Sequence, residues 1–276
     1  MQNHLKTTEK QFNISPAHMA QWTVDKMVSQ NSTHIQGLLY SKNLLPEQLE
    51  SLYVIQLGEL NAYSKVRNIS ELYGEDDVIS NLKYASYNPD HFLSSVTGHI
   101  LKLVGGHNIE VYSHCDVRTK SVVLDLRRTS LILYNLISNA IIHTRIKNKI
   151  IEISAFTKDD NFVISVKDNG RRISAEKRKN LFFAYENKPV LKTTDITNPG
   201  LTLGGLGLSV CLKAAKDMGG DILYIPPRDY GNEFQLIIPQ RDHSSIAGEV
   251  IIAEPDIDDL KVYLAGAILS LIEDNR

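Results

Sequence analysis

Cysteine is scarce in this chain, tryptophan nearly absent, and no stretch stays apolar for long. The two cysteines, Cys115 and Cys211, lie far apart and fit no metal-ligand spacing. That excludes a zinc module or a disulfide scaffold and leaves two reduced thiols. Nowhere do roughly eighteen apolar residues follow one another, so no membrane-spanning helix is expected. The first residues, Met1 to Gln21, are polar and hold no apolar segment of signal-peptide length. An excess of one charge is lacking too. A formal net charge of -2 removes the electrostatic case for a nucleic-acid partner or an acidic membrane surface. Internal repeats and low-complexity tracts are missing. These absences point to a cytoplasmic chain that senses, if it senses at all, without a transmembrane sensor of its own.

What is present suits two units, because 276 residues exceed the needs of a single core. Residues 1–15 read as a tail and 16–78 as a helical domain. Ser15-Pro16 is a helix-start signal, and Met19, Trp22, Val24, Met27, Ile35, Leu38 and Leu39 supply a diluted apolar face. Leu44-Leu45-Pro46 breaks the pattern. Leu49, Leu52, Ile55, Leu60 and Val66 resume it on a second helix. Two such helices cannot bury a core alone, so pairing with a second copy as a four-helix bundle is expected. Gly74-Glu75-Asp76-Asp77 marks a junction, with the domain boundary between Gly74 and Asn88.

Residues 88–241 alternate strand and helix. The patterning predicts a helix from Phe92 to Val104, short strands at Ile109–Tyr112 and Ser121–Leu124, and a helix from Arg127 to Thr144. In that last helix Leu133, Leu136, Ile137, Ala140 and Ile141 form a full apolar stripe. Strands follow at Lys149–Ala155 and Asn161–Val166, joined by turn residues Asp159-Asp160-Asn161. A loop-like stretch precedes a helix at Leu208–Met218, and strands at Ile222–Ile225 and Phe234–Ile238 close the unit. The fold class is α+β: a helical hairpin followed by an α/β sandwich with a mixed sheet.

Three clusters carry chemistry. Asn135 and Asn139 are four residues apart on the clear helix, and His143 extends the same stripe. An amide oxygen is a hard neutral ligand suited to Mg²⁺, although two asparagines on a helix are also an ordinary solvated face. Asp168-Asn169-Gly170 follows a strand, where an acid next to a glycine can accept from an exocyclic amine or simply form a turn. Gly204-Gly205-Leu206-Gly207-Leu208-Ser209 runs into a helix, a setting in which backbone N–H groups and the helix dipole favour a phosphate.

Taken in order, these segments resemble the boxes of the histidine-kinase branch of the GHKL ATPases. Leu133-Tyr134-Asn135-Leu136-Ile137-Ser138-Asn139-Ala140 is similar to the N box, and Asp168-Asn169-Gly170-Arg171-Arg172-Ile173 to the G1 box. Leu181-Phe182-Phe183-Ala184-Tyr185 resembles a loose F box, and Gly205-Leu206-Gly207-Leu208 the G2 box. Met218-Gly219-Gly220-Asp221-Ile222 and Gly231-Asn232-Glu233-Phe234 resemble the turn and strand that close the domain. The resemblance covers roughly Phe92 to Gln240.

The resemblance implies ATP and Mg²⁺ as ligands. Asn139 would bind the metal and Asn135 would support nucleotide binding. Asp168 would read the adenine amine beside Gly170. Residues 186–203 would form a mobile lid, and Gly205, Leu206, Gly207 and Leu208 would present backbone to the phosphates. It also implies transfer of the γ-phosphoryl to a histidine of the helical bundle, with His34 the candidate, and from there to a response regulator or receiver domain. The chain departs from the family in three places. Arg172 stands where a second glycine is usual, and must either crowd the base pocket or turn to solvent. Ile142 stands where a phosphate-contacting Lys or Arg is usual. Ile35 replaces the acidic residue after the phosphoacceptor, and the following proline is missing.

Two readings follow. One is a cytoplasmic histidine kinase of a two-component phosphorelay, dimeric through its N-terminal helices. The other is a degenerate pseudokinase or histidine phosphotransferase scaffold that keeps the fold without the ATP chemistry. A superfamily ATPase outside phosphorelay fits the preceding helices less well. In the tail, residues 242–276, Glu249-Val250-Ile251-Ile252-Ala253-Glu254-Pro255-Asp256 resembles the first strand and acidic loop of a receiver domain. Leu260 to Ile272 then reads as a helix, either a remnant or a docking element.

Overall fold

The turn at Asp159-Asp160 sets the register of the central sheet. Both residues have positive φ, 47° and 58°, and they join strands β4 (Lys149–Lys158) and β5 (Asn161–Asp168) as a two-residue hairpin loop. Asp tolerates this backbone better than most side chains, and the turn's twist matches that of the flanking strands. The computed structural model describes residues 25, 26, 28–31, 33–35, 37, 38, 44–73, 82–182, 206–228, 230–241, 250–252 and 254–274. The expected N-terminal tail, the lid and Gly205 lie outside them.

Five strands form a mixed sheet in the order β2-β4-β5-β7-β6, where β2 is Ile109–Asp116, β6 Asp221–Ile225 and β7 Asn232–Pro239. Only β2 and β4 pair in parallel. Two more strands, β1 (Tyr84–Tyr87) and β3 (Val122–Asp125), pair antiparallel in a small separate sheet. Strand β1 was not legible in the sequence, since Tyr84-Ala85-Ser86-Tyr87 has no alternation of apolar and polar residues.

Helix α2 (Pro89–Leu103) is capped by Asn88, whose side chain accepts from the His91 N–H, and it packs on β2. Helix α3 (Leu126–His143) is capped by Asp125 and packs on the sheet. Helix α4 is one turn (Ala175–Arg178), and α5 spans Leu206–Asp217. The core between sheet and helices contains Ile132, Ile137, Ile151, Phe162, Ile164, Cys211 and Leu236.

The helical segment is present as α1 (Pro46–Tyr73), and the described residues between 25 and 38 are helical as well. Asn31 Nδ2 donates to Glu59 Oε1 at 2.8 Å, and Tyr63 bonds to Asp25, so the two segments run antiparallel. That is the expected hairpin. Leu45, just before α1, and Leu49, Tyr53 and Ile55 on it remain exposed.

The C-terminal residues do not stand apart. Ile251 forms a parallel bridge with Tyr87: its N–H donates to Ser86 O at 2.7 Å, and its carbonyl accepts from Asn88 N at 3.3 Å. Helix α6 (Ile257–Asp274) then wedges between α1 and α3. It buries Leu260, Leu264, Ala265, Ala267, Ile268 and Leu271. Arg67 of α1 pairs with Asp259 of α6 and stacks over the Tyr63 and Tyr263 rings, at 5.7 and 5.4 Å to their centroids. A Cβ on Gly266 would lie 2.6 Å from Asn61 Oδ1, so glycine lets the two helices approach. The apolar pattern at Leu260 to Ile272 therefore serves the chain's own core.

This covering also changes α3. An ordinary solvated face does not describe Asn135, which is only 6% exposed, nor its neighbour Ser138, which is buried. Because α5 and α6 pack on α3 and the sheet lies on another side, with Asn68 of α1 reaching Asn135, most of the helix is enclosed. Among the described residues no helix is long and apolar enough to cross a membrane.

Candidate nucleotide site

Asp168 ends β5 as a buried carboxylate. Its Oδ1 accepts the Gly170 N–H at 2.8 Å and the Asn232 side-chain amide at 3.1 Å. Both of these bonds fall on Oδ1, and Thr144 also acts on the carboxylate. Burial raises the Asp168 pKa above the usual aspartate value, and these two hydrogen bonds act against the rise.

The backbone around Asp168 is held close. A Cβ on Gly170 would lie 2.9 Å from Asp168 Oδ1, 3.0 Å from Thr144 Oγ1 and 3.1 Å from Thr144 Cα. Gly231, at φ 83°, donates to Gly170 O at 2.9 Å, and a Cβ there would sit 2.0 Å from Asp168 O. Any other residue at these two positions would force the Asp168 loop out of place.

Asn232 is the residue that the sequence reading did not single out as part of the site. Its Nδ2 donates to Asp168 Oδ1 and, at 3.2 Å, to Arg171 O. Its Oδ1 accepts from Ile173 N at 2.9 Å and from Tyr224 OH at 3.2 Å. One amide thus ties together β5, β6 and the 171–173 loop. The Gly231-Asn232 pair was visible as a strand signature, but nothing in the sequence aims its side chain at Asp168.

A cavity of about 580 Å³ opens beside Asp168. Its lining includes Asn139, His143, Asp168, Arg172, Gly207 and Leu208. The first, second and third clusters of the sequence therefore meet at one place, and the apolar lining from Ala140, Ile173, Leu181 and Phe234 gives a flat base somewhere to lie. Phe182 of the loose F box packs edge-on against Phe234, with ring centroids 6.4 Å apart, and its carbonyl accepts from Ser209 Oγ at 2.8 Å.

The other residues singled out from the sequence sit as follows. Asn135 is not in the wall. Its Nδ2 donates to Leu131 O at 2.9 Å and its Oδ1 accepts from Asn68 Nδ2 of α1 at 3.3 Å. A Cβ on Gly207 would lie 3.0 Å from that Oδ1 and 3.7 Å from Asn139 Nδ2, so Gly207 brings the α5 backbone against both asparagines. Leu206 is buried. Ile142 packs against the core. Arg172 is exposed at the cavity rim, which is the solvent-facing alternative for that cation. His143 lies at the cavity mouth, reached by water yet hemmed in by protein. Its desolvation and the Arg145 charge lower its pKa against the pull of Asp168, and Lys177 and Lys65 lower it further.

His34 does not line this cavity. It is exposed, with Nδ1 2.8 Å from the Gln30 carbonyl. A carbonyl only accepts, so Nδ1 carries the proton and Nε2 keeps the free lone pair.

A buried carboxylate at a strand end and an asparagine beside the first-turn glycine of α5 suit a purine nucleotide. Residues 124–242 match the family of histidine kinase-, DNA gyrase B- and HSP90-like ATPases. Residues 124–242 form a histidine-kinase-type ATPase domain. This domain and the residues around it are similar to the adaptive-response sensory kinase SasA of Prochlorococcus marinus (strain MIT 9303). The two are 30% identical over 139 residues, 50% of this chain and 36% of SasA. The aerobic respiration control sensor protein ArcB of Escherichia coli (strain K12) is 29% identical over 148 residues, 54% of this chain and 18% of ArcB. The chain thus spans well under half the length of either. Among solved structures, full-length ShkA in complex with AMPPNP has the same fold at 19% identity, with a TM-score of 0.55 over 84% of this chain and 47% of that one. Histidine kinase ThkA in complex with its response regulator protein TrrA gives a TM-score of 0.53 at 24% identity, over 81% and 61%. The likeness to sensor histidine kinases is thus strongest over residues 124–242, the ATPase domain, while the two solved structures share the fold over most of the chain.

Proposed function

We propose that this chain is the phosphotransfer core of a two-component phosphorelay. It binds Mg-ATP in the cavity beside Asp168, moves the γ-phosphoryl to His34, and passes it to an aspartate of a response regulator or receiver domain. The observation that carries this reading is the convergence of Asp168, Asn139 and Gly207 on one cavity.

The Asp168 carboxylate accepts from the adenine amine while Gly170 clears the plane of the base. Asn139 would hold Mg²⁺, which would supply positive charge to the phosphates. Asn135 acts from behind by joining Gly207 at the start of α5 to Asn68 of α1. Transfer is then a matter of position: His34 Nε2 attacks the γ-phosphorus, the bond to the ADP oxygen breaks, and the imidazole becomes a phosphohistidine. The exposed apolar residues on α1, Leu49, Tyr53 and Ile55, support homodimerisation through the helical hairpin. In this scheme residues 16–78 are the dimerisation and phosphotransfer unit and 88–241 the ATP-binding unit.

The alternative, a phosphotransfer scaffold without ATP chemistry, is favoured by Ile142 packing against the core where a cation is expected. Incubation with labelled Mg-ATP decides between them. The kinase yields an acid-labile, base-stable phosphoprotein that His34→Gln abolishes; a scaffold takes no label from ATP but accepts phosphoryl from a phosphorylated regulator.

A further inference from the structure

We propose that Lys65 of α1 supplies the phosphate-facing cation that Ile142 does not, so that the polyphosphate of a bound nucleotide is gripped partly from the helical hairpin. This deepens the nucleotide reading above and rests on it.

The register between α1 and α3 carries the argument. Glu71 pairs with Arg127 at 2.8 Å and with Arg128 at 2.5 Å, near the N-terminus of α3. Asn68 bonds to Asn135, further along α3. Each step toward the N-terminus of α1 therefore moves toward the C-terminus of α3, as in antiparallel packing. One turn before Asn68 stands Lys65, on the same face. Continued, the progression points Lys65 toward the segment from Asn139 to His143, which holds Ile142.

Two further observations agree. Lys65 is one of the cations that hold the His143 pKa down, and His143 lines the nucleotide cavity. Lys65 is also half-buried and, among the described residues, has neither a hydrogen bond nor an ion pair; burial lowers its own pKa. A partly desolvated ammonium without an anion is costly, and a phosphate entering the cavity relieves that cost. The α1 backbone register is fixed against α6 by Arg67–Asp259 and by the close approach of Gly266 to Asn61, which sets where the Lys65 side chain starts.

The test is calorimetric titration of the full chain with adenosine and with Mg-ATP. The set is wild type, Lys65→Gln, Lys65→Arg and the double variant Lys65→Gln/Ile142→Lys, with thermal unfolding as a check that each folds. The expected result is that Lys65→Gln weakens Mg-ATP on the order of tenfold or more and leaves adenosine unchanged. Lys65→Arg retains affinity, and Ile142→Lys restores what Lys65→Gln lost. Equal weakening of adenosine and ATP, or no weakening of ATP in a Lys65→Gln protein, overturns the assignment while leaving the nucleotide reading intact. Wild type that binds neither ligand overturns both. Should Lys65→Gln not fold, Lys65→Arg and Lys65→Met replace it, with the same contrast between the two ligands.

Discussion

The Asn232 side chain donates to Asp168 Oδ1 at 3.1 Å while its own oxygen accepts from Ile173 N at 2.9 Å, so one amide clamps the carboxylate and the loop beyond it. Asn232→Ala leaves Ile173 N and Asp168 each without that partner. Stability should fall by about 1–3 kcal/mol, read by urea denaturation. Adenosine affinity should fall as well. Unchanged adenosine affinity would mean that Asp168 holds its position without the clamp.

The raised pKa of Asp168 makes stability depend on pH. Because the folded state holds this proton more tightly than the unfolded chain, the contribution is full below the ordinary aspartate pKa and is lost as pH rises through the raised folded value. Asp168→Asn should therefore be more stable than wild type at neutral pH, with a flatter slope of stability against pH in that window. The same variant should lose adenine binding, because an amide cannot be a pure acceptor. A set of denaturation curves from pH 3 upward, at roughly unit intervals, measures the first effect; titration with adenosine measures the second.

Two glycine-to-alanine substitutions should act in opposite directions. Gly170→Ala places a methyl against Asp168 Oδ1 and the Thr144 backbone, costs about 1–3 kcal/mol and removes nucleotide binding. Gly98→Ala, inside α2 with nothing within 4 Å of the new Cβ, should stabilise by about 0.5–1 kcal/mol and leave binding alone. Paired thermal melts of the two variants make the comparison.

Helix α6 belongs to the core. Leu264→Ala, at a fully buried position, should cost about 2–5 kcal/mol. Deleting residues 257–274 should uncover the apolar surface of α1 and α3 and give a protein that binds a hydrophobic dye. A truncated protein that melts like wild type and binds no dye would show that α6 is dispensable.

The thiols should differ in reactivity. Cys115 is partly exposed at the edge strand β2, whereas Cys211 is buried and its pKa is pushed well up by that burial. A thiol reagent should modify Cys115 in the native protein and reach Cys211 only after unfolding. Equal rates for both would contradict the packing of α5.

Much of this was legible because local patterns carry it. The stripe Leu133, Leu136, Ile137, Ala140, Ile141 specifies a helix wherever it occurs, and Asp159-Asp160 specifies a turn through its tolerance of positive φ. Residues Asn139, Asp168 and Gly207 stood out because their types and order matched a known family, and they line one cavity. Other features were not legible. Strand β1 lacks alternation because its sheet has only one partner strand and a single bridge to Ile251. The tail helix has an apolar pattern that suits docking as well as burial, and pattern alone does not choose.

The sequence by itself determined the elements, the order of the boxes and the residue types available for a nucleotide, since these depend on interactions within a few positions along the chain. Tertiary structure decided what depends on distance through space. It put Asn232 on Asp168, from 64 positions away. It buried Asn135 under Asn68 instead of leaving it to solvent. It folded the tail between α1 and α3, and it set the α1 register that brings Lys65 toward the site. Each of these is a contact between elements remote in sequence, chosen by which apolar faces must be covered together, and no local pattern encodes that choice.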